Sequence, residues 1–75
     1  MTFVETLDYR GKRCPLPVIG LAKRLKDAPP QTTVRLLADD PAARVDIPAW
    51  CRMRSAELVS AVDAEDHVVY TVTQR

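Results

Sequence analysis

The chain has few of the residues from which most catalytic and metal-binding motifs are built. It contains one histidine, His67, and two glycines, Gly11 and Gly20, in 75 residues. The two cysteines form no Cys-x-x-Cys pair and have no second His or Cys nearby, which argues against a structural zinc site. Two separated glycines do not form a glycine-rich phosphate-binding loop. The sequence therefore predicts neither a zinc protein nor a phosphate-loop protein.

Aromatic residues and long apolar segments are also scarce. The chain has four aromatic residues: Phe3, Tyr9, Trp50 and Tyr70. They show no stacking pattern of the kind that reads single-stranded RNA. No segment reaches the roughly 18 apolar residues of a membrane span, and the first five residues lack the features of a signal peptide. We therefore expect a cytoplasmic protein whose two cysteines are free thiols rather than a disulfide.

The composition is that of an ordinary globular domain, with 47% hydrophobic and 28% charged residues. A length of 75 residues predicts one domain covering residues 1–75. Residues 1–35 have seven Lys or Arg against three acidic residues, whereas residues 36–75 have four against seven. The basic half would steer an acidic surface or an anionic molecule toward that end of the chain. Alternatively, its cations only solvate the outer face of a helix.

The first half of the chain predicts a strand, a helix and a second strand. A half-alternating run from Phe3 to Leu7 predicts the first strand. From Pro15 to about Asp27 apolar residues recur at helical spacing, and these residues are Val18, Leu21, Ala22 and Leu25. Residues 32–38 are β-branched and apolar, which predicts the next strand. Because a crossover helix separates the two strands, they are expected to pair in parallel.

The second half predicts a helix followed by a hairpin. Asp39-Asp40-Pro41 resembles a helix start, with Asp40 as the N-cap, although paired aspartates could also bind a metal or act as an acid/base pair. Residues 42–54 are expected to be helical and to bury Val45, Ala49 and Met53. Pro48 implies either a kink or a new helix capped by Asp46. Residues 57–62 and 67–73 then predict two strands joined by a polar turn.

These elements together predict an α+β fold. The expected architecture is a two-layer βαβαββ sandwich, in which a four-stranded mixed sheet has both helices on one face. Cys51 is expected to be a buried, inert thiol rather than a relay cysteine, and Trp50 to be partly core rather than a docking anchor. His67 is expected to be exposed and without a role.

Cys14 is the candidate catalytic residue. It follows the cations Lys12 and Arg13 and precedes Pro15 and Pro17, which fit the first turn of a helix because N–H groups there have no intrahelical partner. A thiol at a helix N-terminus beside cations has a lowered pKa. The sequence therefore predicts a thiolate at neutral pH, activated by the helix dipole and by charge rather than by a general base.

Two residues of the preceding loop are expected to support this cysteine. Gly11 gives the backbone its freedom to turn. Asp8 either hydrogen-bonds loop amides and fixes the approach to Cys14, or forms a simple Asx turn. Together with the cations and prolines, the predicted supporting residues are Asp8, Gly11, Lys12, Arg13, Pro15 and Pro17.

Three blocks of the sequence resemble one protein family. These blocks are Asp8-x-x-Gly11-x-x-Cys14-Pro15-x-Pro17, Asp39-Asp40-Pro41-Ala42 and Asp46-Ile47-Pro48-x-x-Cys51. In their order and spacing they resemble the TusA/SirA-like family of sulfur-carrier proteins, over nearly the whole chain. The family commonly has a glycine before the second strand and a Gly-His pair after the second helix. Here the corresponding residues are Pro29-Pro30-Gln31 and Ser55-Ala56, so both turns depart from the family pattern.

The resemblance implies a sulfurtransferase that accepts sulfane sulfur as a persulfide on Cys14 and relays it to a downstream protein. It implies a cysteine desulfurase or another sulfur donor, an acceptor in tRNA thiolation, molybdenum cofactor assembly or sulfur metabolism, and a membrane sulfur-compound transporter as a further partner. No cofactor beyond the transient persulfide, no stable nucleic acid and a monomer are expected. The alternative is a non-catalytic RNA- or protein-binding module with a redox-sensing cysteine.

Overall fold

The computed structural model describes residues 4–75 and confirms the predicted order of elements. That order is β1 (Val4–Asp8), α1 (Leu16–Leu25), β2 (Thr33–Ala38), α2 (Ala43–Met53), β3 (Ala56–Asp63) and β4 (Val68–Gln74). Phe3, which the sequence placed in the first strand, lies outside the described residues. No helix within residues 4–75 has the length and apolar content that crossing a membrane requires, since α1 has 10 residues and α2 has 11.

The four strands form one mixed sheet in the order β1-β2-β4-β3. β1 and β2 are parallel, as the crossover through α1 predicts, and β4 is antiparallel to both of its neighbours. Along β2 and β4 buried side chains alternate with more exposed ones, and the buried set is Val34, Leu36, Ala38, Val68, Tyr70 and Val72. These side chains form a core with both helices, which confirms the α+β sandwich.

Helix α1 buries the face that its periodicity predicts. Leu21 and Leu25 are almost fully buried, while Val18 and Ala22 are half-buried at the edge of the core. The ring of Tyr9 crosses this helix at Gly20, where an added Cβ would lie only 2.6 Å from Tyr9 Cε1. The small residue therefore allows the segment that precedes Cys14 to pack closely against α1.

Helix α2 buries the face opposite to the one predicted. Val45 and Met53 are 70% and 80% exposed, so the prediction that they face the core is wrong. The residues of α2 that are buried instead are Ala43, Ile47 and Cys51. The helix runs continuously through Pro48, so the structure shows no new helix capped by Asp46.

Both turns that depart from the family pattern keep a backbone suited to glycine. Gln31, before β2, has φ 69°, and Ser55, directly after α2, has φ 58°. Residues other than glycine pay a steric cost in this left-handed region, and helices often end there with a glycine. Both turns therefore hold a residue other than glycine in the left-handed conformation.

Replacing Ser55 with glycine is expected to stabilise the fold. Relief of the left-handed strain should exceed the entropy cost of glycine and raise the free energy of unfolding by about 0.5–1 kcal/mol. Urea unfolding followed by circular dichroism measures this change. Ser60→Gly, in the middle of β3, is the control and should destabilise the protein. A lower urea midpoint for Ser55→Gly would contradict the prediction.

Candidate functional site

The Cys14 loop lies at the edge of the sheet where β1 and β2 both end. The two strands are parallel, with Asp8 opposite Leu37, so the segments that follow them emerge side by side. The N–H of Tyr9 donates to the carbonyl of Leu37 at 2.8 Å and extends the pairing by one residue. Residues 9–15 therefore lie next to Asp39 and Asp40, which follow β2.

These two aspartates anchor the loop through its backbone. The N–H of Gly11 donates to Asp39 Oδ2 at 2.9 Å, and the N–H of Cys14 donates to Asp40 Oδ2 at 2.8 Å. Asp40 Oδ1 also accepts the N–H of Ala42 at 2.9 Å, so its carboxylate caps the turn that leads into α2. The prediction that Asp40 is the N-cap of α2 is wrong, because α2 begins three residues later and its N-cap is Ala42, which has no side-chain cap. The bond from Asp40 to the cysteine was not predicted.

The pKa of the Asp40 carboxyl is lowered by the two N–H groups that it accepts, from Ala42 and from Cys14. Both bonds need the charged form, so they stabilise the protein above the pKa of an unfolded aspartate. Their contribution is lost as the pH falls through the lower pKa of the folded state. The loop anchor is thus intact at neutral pH.

Asp8 forms an Asx turn, which is one of the two roles considered for it. Its Oδ1 accepts the N–H of Arg10 at 3.1 Å, and its Oδ2 lies 2.8 Å from Arg10 Nη2 in an ion pair. These bonds from Arg10 lower the pKa of Asp8 to about 2. The guanidinium of Arg10 is therefore committed to Asp8, two residues away.

The other predicted supporting residues of the loop precede Cys14 and line a groove beside it. Gly11 has φ 81°, which confirms the predicted need for glycine at this turn. The side chains of Lys12 and Arg13 are exposed. They lie along an open groove of about 430 Å³ whose lining residues are Gly11, Lys12, Arg13, Asp39, Asp40 and Pro41.

The two prolines begin α1 one residue later than expected. Pro15 is the N-cap residue and is exposed, and Pro17 is the second helical residue and is buried. The Cys14–Pro15 peptide bond is cis. Cys14 therefore immediately precedes the N-cap, with its side chain half-buried against the core.

The predicted thiolate is wrong. Burial raises the pKa of the Cys14 thiol to about 11, together with a hydrogen bond to the Asp46 carboxylate and the negative charges of Asp46 and Asp40. A thiol with this pKa is protonated at neutral pH. The structure thus presents Cys14 as a neutral thiol that is partly accessible and faces two carboxylates.

The start of the helix fails to lower this pKa because it has few N–H groups to offer. Pro15 and Pro17 have none, and the N–H of Leu16 donates to the Arg13 carbonyl at 2.9 Å. The nearby cations act elsewhere: Arg10 pairs with Asp8, and the charge of Arg13 acts on Asp40. These cations are therefore close to Cys14 in the sequence, but their charges do not lower the pKa of its thiol.

Asp46 is the residue of this site that sequence reasoning missed. It was considered only as a helix cap, yet it lies in the first turn of α2, half-buried, with its carboxylate at the Cys14 thiol. The available signal was its place in the Asp46-Ile47-Pro48 block. Asp46 follows Asp40 by six residues and lies in the first turn of α2, so both aspartates lie near the same helix end.

Replacing Asp46 with asparagine is expected to make Cys14 more reactive toward a small alkylating agent. Loss of the negative charge and of the hydrogen bond to the thiol should lower the pKa of Cys14, and one pKa unit corresponds to about tenfold more thiolate at pH 8. The rate of alkylation by iodoacetamide, followed by mass spectrometry, measures this. Asp27→Asn, exposed beyond the far end of α1, should leave the rate unchanged. A slower reaction in Asp46→Asn would contradict the assignment.

The remaining candidates lie away from Cys14 or inside the core. Cys51 is 3% exposed, burial raises its pKa, and both cysteines are free thiols. Trp50 is half-buried, as predicted, at a groove of about 440 Å³ between the C-terminal ends of the helices.

The exposure predicted for His67 is wrong, because its side chain is only 14% exposed and bonds Asp66 at 2.6 Å. Residues 4–75 contain no group of three or more potential metal ligands.

The comparison with known families covers all of these elements. A family model described as Sulfurtransferase TusA matches residues 5–74. The match includes the Cys14 loop, the aspartates that anchor it and the whole sheet, which agrees with the resemblance seen in the three sequence blocks. The chain belongs to the TusA sulfurtransferase family.

Proposed function

We propose that this protein is a sulfur carrier that receives a sulfane sulfur on Cys14 as a persulfide and passes it to an acceptor cysteine. The observation that supports this assignment most is the contrast between the two thiols. Cys14 is partly accessible on an anchored loop, whereas Cys51 is 3% exposed in the core. A thiol that exchanges sulfur with other proteins must be reachable.

The transfer conserves atoms and oxidation state. The Cys14 sulfur attacks the terminal sulfur of a donor persulfide, a new S–S bond forms, and the S–S bond of the donor breaks. The donor leaves as a thiol after taking up one proton, and Cys14 becomes a persulfide. Delivery repeats the exchange in the other direction, with an acceptor cysteine as the attacking group. No net oxidation occurs, so the reaction needs no resident cofactor.

The carboxylates near Cys14 favour transfer of the bound sulfur to an acceptor over its retention on Cys14. Asp46 accepts the hydrogen bond of the resting thiol and is the group placed to receive its proton as attack begins. The same negative charges disfavour an anionic persulfide on Cys14. A loaded carrier with this electrostatic environment should release its sulfur readily to an acceptor.

The chemistry also defines the partners. The donor is a protein persulfide, such as that of a cysteine desulfurase or another sulfurtransferase, and the acceptor is a protein thiol of the next step. Both must approach along the exposed side of the loop, where Lys12 and Arg13 project. Those cations favour partners with acidic surfaces around the reacting sulfur.

A loading experiment tests the proposal. The protein is incubated with a cysteine desulfurase and cysteine, and its intact mass is measured. We expect a gain of about 32 Da, one sulfur atom, that dithiothreitol removes and that peptide mapping places on Cys14; an irreversible gain would instead indicate sulfinic acid. Failure to load from persulfide donors, or an adduct on Cys51 alone, would contradict the proposal.

A further inference from the structure

The hydroxyl of Tyr70 is buried without a hydrogen-bond partner among the residues that the structure describes. The Tyr70 side chain is 1% exposed, and its ring packs in the core between the sheet and the helices. Buried polar groups are nearly always bonded, and an unbonded one costs stability. Phenylalanine would fill the same space without that cost, so packing alone does not explain a tyrosine here.

The sheet places Tyr70 beneath the Cys14 loop. Tyr70 pairs with Leu36 of β2, on the face that the helices cover. The next residue, Leu37, accepts the N–H of Tyr9 at the start of the loop. The Cys14 side chain packs against the same core cluster that includes Tyr70. Both side chains therefore belong to the end of the core where β1 and β2 finish.

The charged groups near the Tyr70 hydroxyl include the Cys14 sulfur. Burial raises the pKa of Tyr70, and after burial the charges that act on its hydroxyl are those of Arg44, Cys14 and Asp63. Arg44 and Asp63 form an ion pair with each other at the surface. Cys14 is thus a titratable group near the hydroxyl that is not held in an ion pair.

An ionised Cys14 sulfur would require a hydrogen-bond donor. The groups that act on Cys14 are the acceptors Asp46 and Asp40, and its own backbone N–H is committed to Asp40. Pro15 and Pro17 supply no N–H groups. An anionic sulfur at this position therefore needs a donor from the core side, and the Tyr70 hydroxyl is an uncommitted donor there.

We propose that Tyr70 is a positioning residue whose hydroxyl donates a hydrogen bond to the Cys14 sulfur when that sulfur is ionised, as a thiolate or as a persulfide. A neutral thiol sulfur is a weak acceptor, which agrees with a Tyr70 hydroxyl that has no hydrogen-bond partner within residues 4–75. Ionisation creates a strong acceptor, to which the O–H bond of Tyr70 can turn. The persulfide form of this inference rests on the proposed function, whereas the thiolate form does not.

The test compares Tyr70→Phe with Tyr9→Phe, which removes the hydroxyl of the tyrosine that packs against α1 at Gly20. The rate of Cys14 alkylation by iodoacetamide is measured from pH 7 to 11, with a thermal melt of each variant. We expect Tyr70→Phe to shift the alkylation profile to higher pH and to slow the reaction at pH 8 by about tenfold, since hydrogen bonds to charged groups are strong. Its Tm should be unchanged or higher. Tyr9→Phe should leave the profile in place.

An unchanged profile in Tyr70→Phe would overturn the inference, whatever happens to the Tm. If Tyr70→Phe then has a higher Tm than wild type, the hydroxyl is a buried polar group without a hydrogen bond. If its Tm is lower, the hydroxyl has a structural role through a bond to buried water. The same measurements separate this inference from the sulfur-carrier proposal. If wild-type protein never acquires a persulfide but the profile still shifts, the carrier proposal fails and the role of Tyr70 stands. If the persulfide forms and Tyr70→Phe changes neither the profile nor the persulfide lifetime, the role of Tyr70 fails alone.

Discussion

Replacing Cys14 with serine is expected to abolish sulfur loading completely. Serine keeps the shape of the side chain and the N–H bond to Asp40, so the loop should remain anchored. Its hydroxyl, however, cannot form the S–S bond that holds the transferred sulfur, and no other group at the site can replace it. Intact mass after incubation with a desulfurase and cysteine should show no gain of one sulfur, while circular dichroism should show an unchanged fold.

The matched control is the second thiol. Cys51→Ala removes a sulfur that is 3% exposed in the core and should leave loading of Cys14 intact. Both variants are needed, because loss of loading in each would indicate a relay between the two cysteines. An adduct that persists in folded Cys14→Ser, or that disappears in folded Cys51→Ala, would contradict the assignment of Cys14 as the sole sulfur-binding residue.

Leu21→Ala should cause the largest loss of stability among single core changes in α1. Leu21 is fully buried where the helix meets the sheet. Its truncation removes apolar contact and leaves a cavity, which costs about 2–5 kcal/mol. A domain this small has a total stability near the lower end of the usual range, about 5 kcal/mol. Urea unfolding should therefore show a midpoint close to zero denaturant, with much of the chain unfolded at 37 °C.

Ile19 provides the comparison on the same helix. Its side chain is 41% exposed, so Ile19→Ala should lower the free energy of unfolding by less than about 1.5 kcal/mol. The two variants make similar changes in volume and in helix propensity. Equal losses for both would mean that α1 does not dock on the sheet through Leu21, which contradicts the packing described here.

The features that could be predicted from the sequence are those that depend on local pattern. The spacing of apolar residues in α1 identifies Leu21 and Leu25 as core residues, although the exposed residues Leu16 and Ile19 are apolar as well. The alternation in β4 identifies its buried side in the same way, since Val68 and Val72 recur with a period of two. In both elements a regular apolar pattern marks one face, and that pattern identifies the face that is buried.

Helix α2 shows the limit of this reasoning. The predicted stripe Val45-Ala49-Met53 and the observed stripe Ala43-Ile47-Cys51 have the same spacing of four residues. They differ by two positions, which is about 200° around a helix, so they lie on opposite faces. Periodicity cannot choose between two apolar stripes of equal spacing. The choice depends on the sheet and on α1, which the local sequence does not describe.

The protonation state of Cys14 shows a different limit. The sequence places cations and a helix start next to the cysteine, but the charges that act on its sulfur come from Asp40 and Asp46, far along the chain. Only the fold brings those carboxylates to the loop. The local prolines that predict the helix start correctly also remove the N–H groups that would have stabilised a thiolate.

The two hydrogen bonds from the loop backbone to Asp39 and Asp40 affect how fast and how tightly partners can associate. A surface loop normally loses conformational entropy when a partner fixes it, and this loss weakens binding. Here the amides of Gly11 and Cys14 are already fixed, so the loop loses this conformational entropy on folding and not on binding. A partner can then dock against a preformed surface as a rigid body. Such association suits the proposed sulfur carrier, which would bind and release a donor and an acceptor in each cycle.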